Sequence, residues 1–131
     1  MTLLLDTHYL IWALTDTKKL SGKIKPLLTD PENRVLVSVV SLWEVSLKSA
    51  LGKLNIQGFS PEDLPLLCQQ IGFDILPLSV TESSTYHQLE ASYHKDPFDR
   101  MLIWQALSNG YIFVTADKQV RKYCSAGLKL L

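Results

Sequence analysis

The chain is poor in cysteine, has no surplus charge of either sign, and lacks any apolar run long enough to cross a bilayer. Only Cys68 and Cys124 occur in 131 residues. They are too few and too far apart for a disulfide framework or a cysteine metal centre, and read as free thiols of a reducing cytoplasm. Thirteen basic residues balance 13 acidic ones, for a formal net charge of zero. A protein that grips nucleic acid by backbone charge alone should be more basic. Nucleic acid is therefore a partner only if local basic patches or bound metal offset the acids. No basic amino-terminal stretch leads into a long apolar segment, so neither secretion nor membrane insertion is expected. Repeats, low-complexity tails and linkers are also missing. The expectation is one domain over residues 1–131, large enough to fold without metal or disulfide staples.

What is present is 47% hydrophobic residues, arranged in alternating strand and helix patterns. Strands are expected at 2–5, 34–40, 73–76 and 111–115, with an edge strand near 128–131. Helices are expected at 7–14, 21–28 (with Pro26 arguing for a late start), from Ser41 to about 51, from 61 or 64 onward, at 81–89, and from Pro97 to about 107. A polar connection spans 92–97, and Gly110 stops the helix before it. Ser41 with Glu44 three residues later forms a capping-box pattern. Strands alternating with helices imply an α/β domain with a mainly parallel central sheet.

Four acids stand where core-forming sequence should exclude them. Asp6 follows Leu3-Leu4-Leu5, and Glu44 lies in Leu42-Trp43-Glu44-Val45. Asp99 lies in Pro97-Phe98-Asp99-Arg100, and Asp117 follows Ile112-Phe113-Val114-Thr115-Ala116. A carboxylate beside apolar sequence is costly unless paired, hydrogen-bonded or holding a metal. Open α/β sheets place ligand sites beyond the carboxyl ends of their strands, where Asp6 and Asp117 fall. Glu44 and Asp99 sit near helix starts that can face the same end. Convergence of four acids is repulsive unless a cation offsets it. Magnesium or manganese, one ion or two, suits an all-carboxylate set. Such an ion activates water and offsets charge on a scissile phosphate. Each acid also has a purely structural use: Asp6 and Asp117 as helix caps, Glu44 paired with Lys48, Asp99 as a cap or paired with Arg100.

Other polar residues are secondary candidates. Thr7, Ser41 and Thr115 can hydrogen-bond carboxylates or substrate, and Asp96 caps the Pro97 helix or supports Asp99. Arg100 approaches phosphate, neutralises the acids or forms an ordinary salt bridge. His8, His87 and His94 show no zinc spacing. Trp12, Trp43 and Trp104 read as core or helix-contact residues. Basic stretches at 18–25 and 118–122 are solvated by default, and guide RNA if they rim the acids.

Taken together, Leu4-Leu5-Asp6-Thr7-His8, Leu10-Ile11-Trp12-Ala13-Leu14, Ser38 through Glu44, Lys48, Gly52-Lys53-Leu54, His94 through Ile103 and Thr115-Ala116-Asp117 resemble the PIN-domain family, in its VapC-like toxin ribonuclease branch. The resemblance spans almost the whole chain and implies a three-layer α/β/α fold. It implies magnesium- or manganese-dependent endoribonuclease activity, with Asp6, Glu44, Asp99 and Asp117 matching the family's acidic set. It further implies a cytoplasmic toxin, commonly a homodimer, inhibited by a cognate antitoxin whose segment can occlude the acidic cleft. A noncatalytic RNA-binding or regulatory module and a metal-dependent DNA nuclease are the alternatives.

Overall fold

Five short parallel strands build the sheet: β1 (Thr2–Leu5), β2 (Arg34–Ser38), β3 (Asp74–Leu76), β4 (Ile112–Val114) and β5 (Lys129–Leu130). Their order is β3-β2-β1-β4-β5, and each pairing is parallel. The computed structural model describes residues 1–90 and 93–131. Ser92, expected at the start of the polar connection, lies outside them. Six α-helices are seen among the described residues: α1 (Thr7–Thr15), α2 (Ile24–Thr29), α3 (Val39–Ala50), α4 (Leu64–Gln70), α5 (Val80–Thr85) and α6 (Pro97–Asn109). A 3-10 run, Lys118–Ala126, joins β4 to β5.

The strands sort their side chains by a period of two. Leu3, Leu5, Val35, Val37 and Val114 enter one apolar cluster with Leu10 of α1, Leu28 of α2 and Cys68 of α4. Leu4, Leu36 and Phe113 enter another, with Leu102, Ile103 and Ala106 of α6 and with Val120 and Tyr123 of the 3-10 run. Helices therefore cover both faces, which is the three-layer α/β/α arrangement expected. Both faces are buried, so the strands read as continuous apolar runs rather than as alternating ones. Burial pushes the Cys68 thiol up to about 11, leaving it inert at neutral pH.

β1 is central, and the chain turns to opposite sides of it for β2 and β4. The crevice between the carboxyl ends of β1 and β4 is the kind of switch point where open sheets bind ligands. Asp6 leaves β1 there, with its N–H held by the Val114 carbonyl at 3.0 Å.

One boundary differs in a way that matters for the site. Residues 39 and 40 are helical, not strand. Ser38 caps α3, its Oγ accepting from the Val40 N–H at 3.0 Å. Ser41 is thus inside the helix, and Glu44 is its sixth residue rather than the third. The capping box read at Ser41 and Glu44 does not exist. The β-branched pair Val39-Val40 favours strand locally, but the Ser38 cap and burial of Val40 against α6 override that preference. Other ends move by a few residues: α2 starts late, as Pro26 implied, and α4 starts at Leu64. Gly110 ends α6 in the left-handed conformation, φ 70°.

Candidate active site

Asp6 is buried at the end of β1 and caps α1. Its Oδ1 accepts from the Tyr9 N–H at 2.7 Å, and its Oδ2 accepts from the Thr115 hydroxyl at 2.6 Å. Burial raises its pKa; the Thr115 and Tyr9 hydrogen bonds oppose that shift, and the nearby Glu44 carboxylate adds to it. Thr115 also accepts from the Asp117 N–H at 3.1 Å. One hydroxyl thereby ties the carboxylate leaving β1 to the turn leaving β4.

Asp99 is half-buried in the first turn of α6. The helix is capped by Asp96, whose Oδ1 accepts from the N–H groups of Phe98 at 2.8 Å and Asp99 at 3.3 Å. The Asp99 carboxylate itself accepts no hydrogen bond among the described residues. Burial, then the charges of Asp96 and Glu44, push it up to about 6. Asp117 is the more exposed acid. His94 donates to its Oδ2 from Nε2 at 2.7 Å and holds its pKa below the ordinary carboxylate range. The other Asp117 oxygen accepts from the Gln119 N–H at 2.9 Å. His94 is itself anchored by Tyr123, whose hydroxyl accepts from the His94 backbone N–H at 3.2 Å.

Asp6, Asp99 and Asp117 line one cleft of about 370 Å³, together with His8, Trp12 and Thr115. Glu44 does not line it. The Glu44 carboxylate is buried, with Oε1 accepting from Thr7 at 2.6 Å and Oε2 paired with Lys48. Thr7 Oγ1 also lies 3.0 Å from Ser41 Oγ. The Glu44 charge nevertheless acts on both Asp6 and Asp99. Lys48 is held protonated chiefly by its Glu44 hydrogen bond, and its Nζ lies 6.0 Å from the centre of the Phe98 ring.

The donor set is hard oxygen, suited to magnesium or manganese. An unpaired carboxylate with a raised pKa, beside two other acids, is a place where a cation relieves repulsion. The donors are not preassembled: among the described residues, no three acidic, histidine or cysteine side chains are grouped closely enough to hold one ion. Lys48 and His94 already take one oxygen each from Glu44 and Asp117. Lys48→Met would leave Glu44 buried without its cation, at a cost of about 2 kcal/mol in metal-free stability. Urea unfolding with and without manganese checks this, and unchanged stability would show the pair to be energetically idle.

The PIN domain family model matches residues 3–125. The chain is a PIN-domain protein. This PIN domain is 24% identical over 126 residues to Ribonuclease VapC22 of Mycobacterium tuberculosis, covering 93% of this chain and 92% of that protein. Its fold resembles VapBC-1 of nontypeable Haemophilus influenzae, with TM-score 0.71, 19% identity, and 100% and 97% of the two chains covered. VapBC2 of Rickettsia felis, bound to a DNA fragment from its promoter, matches with TM-score 0.67, 16% identity, and 100% and 98% coverage.

Within this PIN domain the sequence-derived candidates separate. Thr7, Ser41 and Thr115 hydrogen-bond the acids or one another, and Asp96 caps α6. Arg100 is turned to Tyr86, Leu89 and His94: Nε donates to the Tyr86 hydroxyl at 2.9 Å, and the guanidinium donates to the carbonyls of Leu89 at 2.8 Å and His94 at 3.4 Å. It does not line the acidic cleft. Trp43 is 63% exposed, so it is not a core residue; of its two readings the helix contact holds, its ring lying edge-on to Phe98 of α6 at 5.0 Å. Sequence reasoning missed His94 and the ring pair of His8 and Trp12. The i,i+4 spacing of the rings beside Asp6 was the available signal, whereas nothing local marks His94 as the partner of Asp117.

Proposed function

We propose that residues 1–131 act as one PIN domain and that it is a magnesium- or manganese-dependent endoribonuclease, the toxin of a type II toxin–antitoxin pair. One observation carries this reading: three carboxylates of a PIN domain share one cleft, and the one on α6 is unpaired and raised to about 6. The named relative is a ribonuclease, and the similar structures include VapBC complexes. Asp6 and Asp99 are the central metal-holding residues. Glu44 and Asp117 either join them or orient water. When bound, the metal supplies a more acidic water and offsets charge on the reacting phosphate. The chain's own residues do the positioning. Thr115 and the Tyr9 N–H fix both Asp6 oxygens, Asp96 sets the start of α6 beneath Asp99, and His94 aims Asp117.

A cognate antitoxin, a homodimer and a cytoplasmic setting complete the proposal. Trp43 and Leu47 of α3 and Leu51 at its carboxyl-terminal cap recur at helical spacing and are all exposed, which supports a protein-binding face there. Among the described residues no helix is long and apolar enough to cross a membrane. A noncatalytic RNA-binding or regulatory module is the second reading, favoured by the Lys48 and His94 side chains already on Glu44 and Asp117.

Metal-free protein incubated with matched RNA and DNA, then supplied with magnesium or manganese, tests the proposal. RNA cutting should appear only with metal and fall about 10³-fold in Asp6→Asn, the loss of several kcal/mol of charge stabilisation. Cleavage that ignores both metal and Asp6 would reject the mechanism. RNA binding without turnover selects the noncatalytic module, and preference for the DNA selects the deoxyribonuclease.

A further inference from the structure

We propose that His8 and Trp12 form a nucleobase subsite, taking the base of a nucleotide that flanks the reacting phosphate, while Lys118 and Arg121 take a neighbouring phosphate of the same single strand. The placement of that phosphate rests on the nuclease reading; the subsite itself rests on separate geometry. His8 and Trp12 stand one helical turn apart on α1, on the face that lines the acidic cleft. Their rings are 6.0 Å apart and tilted by 43°, so they are not stacked face to face. Trp12 is half-buried and braced edge-on by Tyr9 at 5.3 Å, while His8 is exposed.

A purely structural tryptophan should satisfy its N–H where it is covered. Trp104 does so, donating to the Thr85 hydroxyl at 3.2 Å. The Trp12 indole N–H donates to no protein group among the described residues, and since none of their buried side-chain nitrogens lacks a partner, it reaches solvent and is open to a ligand. Ile103, Phe113 and Val120 add apolar surface to the same cleft. Flat rings and apolar walls beside the acids suit a planar ring ligand. An adjoining hollow of about 200 Å³ shares Thr115, Ala116 and Asp117 with the cleft and adds Lys118 and Arg121. Ring, acids and cations therefore follow one another along continuous surface. Single-stranded RNA presents bases and phosphates to such a surface, and stacking accepts any base.

The test is anisotropy binding of a labelled single-stranded RNA to Asp99→Asn protein, in which turnover is suppressed. In that background Trp12→Leu should weaken binding about tenfold, and Trp12→Phe by about threefold or less. Replacing successive nucleotides by abasic ribose should weaken binding to the Asp99→Asn parent at one position, where Trp12→Leu then causes no further loss. Lys118→Ala and Arg121→Ala should weaken every oligonucleotide equally, each lowering the slope of log affinity against log salt by about one. Thermal melts exclude misfolding, and His8→Ala, at an exposed ring, supplies the same comparison if Trp12→Leu does not fold. A flat abasic scan, or Trp12 losses that add at every position, overturns the subsite. Wild-type protein that cuts RNA with a flat scan sinks this inference alone. Position-specific coupling in a protein that cuts no RNA sinks the nuclease reading alone.

Discussion

Asp99→Asn is expected to reduce metal-dependent RNA cleavage by about 10³-fold or more and, in the same protein, to raise metal-free stability at neutral pH. The two effects share one cause. Asp99 is half-buried beside Asp96 and Glu44, accepts no hydrogen bond among the described residues, and has a pKa raised from 3.8 to about 6. A carboxyl with a raised folded pKa binds more protons folded than unfolded between those values. Stability therefore falls as pH rises from about 4 through about 6, and the ionised group burdens the fold above that. Converted in full, the displacement is about 3 kcal/mol. Solvent reaches Asp99 and screens it, so about 1 kcal/mol is the expected gain for Asn. Melting curves of the two proteins should coincide near pH 4 and separate by pH 7.5, with the variant higher. Manganese should then raise the wild-type Tm more than that of the variant, because a ligand stabilises in proportion to its occupancy of the folded state. A variant that keeps its activity, or melts lower at pH 7.5, would remove Asp99 from the site.

Gln105→Leu should cost about 3 kcal/mol of stability, larger than a typical polar substitution. Gln105 is fully buried in α6. Its Oε1 accepts from the Ser38 hydroxyl at 2.5 Å, and its Nε2 donates to the Pro77 carbonyl at 3.2 Å and to Glu82 Oε1 at 3.1 Å. Leucine fits the volume roughly but strips the buried Ser38 hydroxyl and Glu82 carboxylate, and the part-buried Pro77 carbonyl, of a partner. Ser38 is the cap of α3, so the same side chain joins the helix carrying Glu44 to the helix carrying Asp99. At Glu82, burial alone would raise the pKa, but hydrogen bonds from the Ser79 N–H, Asn109, Gln105 and the Ser79 side chain outweigh it and hold the group below 4.5. A depressed pKa gives stability that is present above 4.5 and lost as pH falls through the lower folded value. In Gln105→Leu that acid sensitivity should shrink along with the total stability. Urea titrations at pH 7 and pH 3.5 measure both; a loss below about 1 kcal/mol would show that water or rearrangement satisfies the network.

Much of the fold was legible because its signals are local. The apolar runs of β1, β2 and β4 marked buried parallel strands, and Pro97 and Gly110 bracketed α6 nearly to the residue. Asp6 and Asp117 stood after strands because strand ends are visible in the pattern. The start of α3 was misread for the opposite reason. Val39-Val40 satisfies a strand preference locally, and the Ser38 cap and α6 packing overrule it. The same contacts move Glu44 away from a cap position and bury it against Thr7 and Lys48.

By itself, the sequence determined the kinds of element, their order, a parallel sheet covered on both faces, and four acids near its carboxyl end. Those follow from periodicity and from residues a few positions apart. Only the tertiary structure decided which acids share a cleft, that Glu44 stands outside its lining, that His94 serves Asp117, and that Trp12 faces the acids rather than only the core. Those contacts join residues 37 apart for Thr7 and Glu44, 23 for His94 and Asp117, and 109 for Thr115 and Asp6. No local propensity encodes such distances; they exist because burying both faces of the sheet brings the ends of β1 and β4 and the start of α6 together.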